Sequence, residues 1–218
     1  MLRLFFILIC LSCSLNVGCS TFEHPLSPLE DAEIHQEAIG SWYASKGKDD
    51  EGKPTEMFLH IGLPPASSIK PKESGYANFN EVKGEMPDDK LWVNNMMLMT
   101  ITSIEKDQRI QSSNMLVFPT KLGNNHYANV PSFHGNQVIT YKILKYQING
   151  DELTTWLLPN DQAIGELIQA GKLHAGEKKD YVADDTETLR QVFVEHDAEL
   201  FPPEKSMTFR RIKLWKDE

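Results

Sequence analysis

The chain predicts a mainly β domain: an antiparallel meander that closes into a barrel or half-barrel, with two or three short helices. Three observations predict it. Short runs rich in β-branched and aromatic residues recur from Trp42 to about Leu158, each bounded by Gly, Pro, Asn or Asp. Asn149-Gly150, followed by Asp151, joins two of these runs and is the strongest hairpin turn in the sequence. No repeat of solenoid period and no low-complexity tract breaks the pattern. Many short strands must remove their edges, and a sheet does so by closing on itself or packing on another.

The elements follow in chain order. Ser27-Pro28-Leu29-Glu30 reads as a capping box with proline at the first helical position, opening a short helix that Gly40 terminates. Strands are expected at 41–45, 57–61, 91–94, 96–105, 114–118, 126–130, 138–148 and 153–158. The longest sets Val138, Thr140, Lys142, Leu144, Tyr146 and Ile148 on one face and Ile139, Tyr141, Ile143, Lys145 and Gln147 on the other. Neither face is cleanly polar, as expected where one side meets a core and the other is partly covered. Asn160 or Asp161 caps a helix carrying Ala163, Ile164, Leu167 and Ile168 on one face, stopped by Gly171. A second helix follows Asp184, with Leu189, Val192, Phe193 and His196 at helical intervals. Pro202-Pro203 breaks it, and 207–215 reads as a last strand.

The N-terminus has an export pattern: basic Arg3, an apolar run from Leu4 to Leu11, and small residues ending at Gly18. That run is shorter than the roughly 20 residues needed to span a bilayer, so it reads as a cleaved leader. All three cysteines, Cys10, Cys13 and Cys19, lie in this region, and a single cysteine left on an exported chain calls for a use. Leu15-Asn16-Val17-Gly18-Cys19 resembles the lipobox of bacterial lipoproteins, with Asn16 where that family usually carries leucine. The resemblance implies cleavage before Cys19 and lipid attachment, including palmitate, at that residue. The expected division is a signal peptide at 1–18, a lipidated end and tether at 19–27, and one β-rich domain at 28–218. Ser20 after the acceptor, rather than aspartate, resembles outer-membrane sorting. The expected location is therefore the bacterial cell envelope, on the outer membrane facing the periplasm.

Gly40-Ser41-Trp42-Tyr43 resembles the Gly-x-Trp signature of lipocalins and related calycin barrels. In those families the tryptophan packs at the closed barrel end against an arginine from a late strand. The resemblance implies a structural pair of Trp42 with Arg210, Arg211 being the alternative. A second lipocalin motif is not recognisable, and two late helices depart from the usual one. The stretch 141–176, with Tyr146, Gly150-Asp151, Trp156-Leu157-Leu158 and Gly171-Lys172-Leu173, resembles the C-terminal half of uncharacterised lipocalin-like envelope proteins.

Charge and motifs narrow the function. The net charge is -9, and loss of Arg3 with the leader leaves 21 basic against 31 acidic side chains. Nucleic acid is not an expected partner, because its binding rests on a basic surface. The seven histidines form no His-x-x-x-His pair and no His-Glu-x-x-His; His126 and His134 are the two that a loop would bring together. No metal site, no cofactor and no catalytic residue is assigned, and the chain reads as non-enzymatic. The β region is rich in methionine, whose flexible thioether suits either a core or an adaptable apolar cavity. Met97, Met99, Trp156 and Tyr141 are the expected ligand-lining residues. The expected role is binding of a small hydrophobic or amphipathic molecule by a protein held to the membrane through its N-terminal lipid. The alternative is a structural or assembly lipoprotein that acts through contacts with protein partners the sequence does not identify.

Overall fold

A computed structural model describes residues 21–48, 54–64, 94–104, 110–134, 137–178 and 181–213. Ten strands form one sheet: β1 (Thr21–Phe22), β2 (Gly40–Lys48), β3 (Pro54–Gly62), β4 (Met97–Ile104), β5 (Ile110–Leu122), β6 (Asn125–His134), β7 (Gln137–Asn149), β8 (Glu152–Trp156), β9 (Tyr181–Val182) and β10 (Met207–Arg211). Eight of them, β2 to β8 and β10, make a closed antiparallel barrel. Closure comes from β6 pairing with β7 and β10 pairing with both β2 and β8. Two tight turns shape one rim: Gly123 and Gly150 take φ of 59° and 60°, the left-handed region that glycine enters without a Cβ penalty.

Alternation assigns the faces. Trp42 opposes Leu59, Leu59 opposes Ile101, Ala128 opposes Leu144, and Leu153 opposes Phe209, and all of these share one apolar cluster inside the barrel. The other face of β6 to β8 is buried as well. Tyr127, Ile143 and Trp156 point outward into a second core made with α1 (Asp161–Gln169), α2 (Thr186–Glu195) and α3 (Asp197–Leu200). Strand β7 therefore lies between two cores, which explains why neither of its faces is polar.

The outer core contains a buried ion pair. Lys145, only 4% exposed, donates to Asp197 at 2.5 Å, and the Tyr127 hydroxyl donates to the other oxygen of that carboxylate at 2.7 Å. The Lys145 ammonium also lies 4.8 Å from the Trp156 ring centre. Burial and the neighbouring carboxylate push the Tyr127 hydroxyl far above its ordinary pKa, so it remains a donor.

Both late helices form where the sequence places them. Asn160 precedes the first, and Gly171 ends it with φ of 69°. Asp185, rather than Asp184, caps the second by accepting from the Thr188 amide. Asp184 instead accepts from the backbone and ring of His174.

Two N-terminal expectations are corrected. No α-helix forms over 28–40; there are two 3-10 turns, Leu29–Asp31 and Gln36–Ala38. The Ser27 hydroxyl bonds Thr120 rather than the helix start, and the segment is stretched across the barrel rim as a strap. Residues 21–27 are no loose tether either. Phe22 pairs with Tyr141, Thr21 and Phe22 run beside Tyr181 and Val182, and Phe22 and Leu26 are fully buried. The expected strand at 91–94 falls mostly outside the described residues, and residues 94–95 are helical.

The Gly-x-Trp segment sits at the rim under the strap. Trp42 is fully buried, donates from its indole to the Ala38 carbonyl at 3.0 Å, and carries a guanidinium 4.0 Å from its ring centre. That guanidinium belongs to Arg211. Arg210 faces outward, its side chain 84% exposed beside Glu152. Parity decides between them, because Arg211 opposes Trp42 in the β2–β10 register while Arg210 opposes Tyr43. Arg211 also donates to the Ile39 and Glu37 carbonyls, tying the strap down. A Cβ on Gly40 would lie 2.8 Å from an Arg211 nitrogen, at a φ of +149° that L side chains rarely adopt.

Trp42→Ala should cost about 3 to 5 kcal/mol in denaturant unfolding, the range for large aromatic truncations in a core. Arg210→Ala should lie within about 0.5 kcal/mol of the parent, as exposed substitutions usually do. Similar losses at both positions would contradict the assignment of Arg211 as the partner.

Candidate functional site

Two regions have the geometry of a site, one at each end of the barrel. At the end where β2 begins, the strap, Trp42 and Arg211 close the mouth, and Ile34 and Ala38 of the strap enter the inner core. At the opposite end the wall parts. Strand β5 pairs with β6 only from Phe118 to Leu122, whereas it pairs with β4 from Ile110 to Val117. Residues 130–134 of β6 pair with β7 alone among the described strands.

The sequence explains where the wall parts. Gln111, Ser112, Ser113 and Asn114 are polar on both faces, so no apolar stripe holds this part of β5 against the barrel, and all four are exposed. Several inward-facing side chains are half-buried, Met115 and Val130 on the two strands that part and Met57, Ile101 and Met207 on other strands of the wall. Lys142, inward by alternation and opposite Val130, is exposed.

Of the ligand-lining residues expected from the sequence, the structure places two inside. Met97 and Met99 face the barrel interior, at 1% and 5% exposure, deep in its packed part. Trp156 and Tyr141 face outward. Trp156 donates to the Pro202 carbonyl at 3.0 Å in the outer core, and Tyr141 packs edge-on against Phe118 beside β1. Neither lines the interior. Met115, Met57 and Ile101 hold the half-buried positions that Trp156 and Tyr141 were expected to hold, and their β-strand parity with Met97 and Met99 is the signal that would have found them.

The closed end has a polar cleft of about 490 Å3, lined by Ser27, Asp31, Glu33, Ile34, His35, Pro119, Thr120, Lys121, His126 and Arg190. Its floor is an ordered network. Asn129, fully buried, accepts from the Leu26 amide at 2.8 Å and donates to Thr120 Oγ1 at 2.8 Å, and Thr120 Oγ1 lies 2.5 Å from Ser27 Oγ. Beside it the rings of His35 and His126 stack with centres 4.1 Å apart, and His35 Nδ1 is 3.3 Å from the Tyr146 hydroxyl. His126 thus meets His35 of the strap; the side chain of His134, the partner considered from sequence, lies outside the described residues. Among the described residues no three His, Cys, Asp or Glu side chains are grouped to hold a metal ion, and no helix is long and apolar enough to cross a membrane.

Burial lowers the pKa of both histidines, most strongly of all the influences on them. Lys121 lowers both further, His35 lowers His126, and Glu37 opposes the shift. The strap is thus docked with neutral imidazoles.

No family model matches the chain, and no curated protein or solved structure matches it at significant similarity. The class the coordinates define is a closed eight-stranded antiparallel barrel, compatible with a lipocalin-like fold.

Because the folded state disfavours the protonated rings, the unfolded chain binds more protons as pH falls below the ordinary histidine value of about 6.5. The contribution of the pair is complete above that value and is lost on acidification through it. The melting temperature should fall between pH 7.5 and pH 5.5, and His35→Gln with His126→Gln should flatten that dependence. An equally steep profile in the double variant would contradict the role given to the pair.

Proposed function

We propose that this chain is a lipid-anchored protein of the bacterial envelope whose barrel takes up a small hydrophobic or amphipathic molecule through its parted end. One observation carries the reading. The inner face of the barrel carries one apolar cluster, yet toward one end its side chains stay half-buried, where the wall is split between β5 and β6. A barrel of about eight strands is just wide enough to be filled by side chains or to hold one small ligand, so a few half-exposed methionine and isoleucine positions decide the outcome. Methionine suits an adaptable wall, since its unbranched thioether repacks at low cost. Lys142, inward and exposed beside that end, suits an amphipath with an anionic head.

Anchoring rests on Leu15-Asn16-Val17-Gly18-Cys19 and the lone mature cysteine. With β1 beginning at Thr21, only Ser20 separates the acceptor from the fold. Two Cα steps keep the lipidated residue within about 8 Å of β1, so the domain rests on the bilayer surface instead of swinging from it. A lipid on Cys19 places the protein on the envelope membrane, with the outer membrane facing the periplasm as the expected site. Two acyl chains give a stable hold where one is marginal.

A second reading, an assembly lipoprotein acting through protein contacts, is favoured by a different observation. Residues 110–117 of β5 contain no charge and no proline, and Ile110 is 70% exposed. Sheet edges are usually guarded by such residues, and an unguarded edge is a template for an added strand.

The chain should bind an apolar fluorescent probe saturably when folded. Met115→Ala should change probe affinity about five- to tenfold, on the order of one kcal/mol of apolar contact, with little change in stability. Trp156→Phe should leave affinity unchanged, because that ring is outside the wall. Absence of saturable binding by a well-folded sample would move the function to the assembly reading. Separately, Cys19→Ala should abolish incorporation of a labelled fatty acid in cells; undiminished labelling would overturn the anchor.

A further inference from the structure

We infer that the cleft under the strap is a second binding site, distinct from the barrel interior, and that it takes a small zwitterion. The bound molecule carries an oxyanion, carboxylate or phosphate, at one end and an ammonium at the other.

The oxyanion end follows from a count of donors. Ser27 and Thr120 are 4% and 5% exposed and line the cleft, and their hydroxyl oxygens lie 2.5 Å apart. Between them they own two hydroxyl protons, and one serves their mutual hydrogen bond. Thr120 Oγ1 already accepts from Asn129, so whichever hydroxyl donates across the pair, the other proton has no acceptor among the described residues. A buried donor without an acceptor is costly, and an incoming oxygen relieves the cost. Two cations line the same cleft. Among the described residues Lys121 forms no ion pair, and Arg190 donates to the Leu26 carbonyl at 3.2 Å and has no other hydrogen-bond or ion-pair partner. A guanidinium fork, an ammonium and a hydroxyl are the donor set that a carboxylate or phosphate fits.

The cationic end follows from the strap. Asp31 and Glu33 line the cleft from the strap, while Lys121 comes from β5 and Arg190 from α2. No ion pair within 4 Å joins the two sets among the described residues, so the cleft holds opposite charges apart. A simple anion would meet Asp31, Glu33 and a net charge of -9. A simple cation would leave the hydroxyl proton, Lys121 and Arg190 unmatched. Only a molecule bearing both charges satisfies both sets, and about 490 Å3 is room for one of dipeptide size.

The test is calorimetric titration of the full-length chain in detergent with two zwitterions, the dipeptide alanyl-alanine and phosphoethanolamine. Their single-charge analogues are N-acetyl-alanyl-alanine, alanyl-alanine amide, ethanolamine and inorganic phosphate. At least one zwitterion should saturate one site per chain, with its single-charge analogues about tenfold weaker or worse, as expected for loss of a charge-assisted contact. Saturation by the dipeptide alone identifies a carboxylate ligand, and by phosphoethanolamine alone a phosphate one. Lys121→Ala and Glu33→Gln, both at exposed positions, should each weaken binding while the melting temperature holds. Met115→Ala, in the barrel, should leave it unchanged, which separates this site from the barrel reading. The inference is overturned if neither zwitterion saturates, if a single-charge analogue binds equally well, or if both cleft variants bind like the parent.

Discussion

The centre of strand β7, residues 143–146, is buried on both faces, and most of the fold depends on that constraint. Leu144, Tyr146 and Ile148 project into the barrel, while Ile143 and Lys145 project under the helices. A one-residue slip of β7 would exchange these sets, moving Lys145 into the apolar interior and away from Asp197. Register is therefore strongly specified. Because β6 runs along one edge of β7 and β8 and β1 along the other, fixing β7 also fixes barrel closure, the helical layer and the docking of the N-terminus. The buried Lys145–Asp197 pair works in the same direction. It adds little net stability, but loss of either partner would strand a charge, so α3 and β7 are held in one arrangement.

The two barrel ends differ because the sequence treats them differently. At the closed end the strap supplies Ile34 and Ala38 to the core and is tied to the rim by Arg211, which stacks on Trp42 and donates to two strap carbonyls. At the other end β5 carries a polar stretch that neither core can bury, so the wall parts from β6 there. Rigid packing at one end and solvent-reached apolar residues at the other form the arrangement on which a ligand-binding role rests. The polar cleft lies at the closed end, at the rim beneath the strap, and draws its chemistry from the strap, β5 and α2.

Much of the fold was legible in the sequence. Alternation located most of the barrel strands, Asn149-Gly150 gave a hairpin turn, and the apolar faces of α1 and α2 gave two helices. The missed features share a cause, since they are set by tertiary contacts. Ser27-Pro28-Leu29-Glu30 has the local chemistry of a helix start, but Ser27 is engaged by Thr120 and Asn95 holds the Leu29 carbonyl, so the segment stops at a single 3-10 turn. Alternation separates the faces of a strand without saying which is inside. Where both faces are apolar, as around Tyr141 and Trp156, the inside was misassigned. For Arg210 and Arg211 the signal was present: Met207, Phe209 and Arg211 share parity with the inner apolar residues. The His35–His126 stack and the cleft had no local signal, because their members come from separate strands, a strap and a helix.

The central claim, a barrel zipped at one end and parted between β5 and β6 at the other, is tested most directly by amide hydrogen exchange resolved by residue. In an antiparallel pair, every second amide of β5 points to β4 and the others point away from it. Across residues 110–117 the account predicts an alternating pattern, with slow exchange toward β4 and near-intrinsic exchange toward the split. It predicts uniformly slow exchange at Lys145 and Tyr146 of β7, which pair with β6 on one side and β8 on the other. Uniform protection along the whole of β5 and β6 would show a wall closed from end to end and would contradict the account.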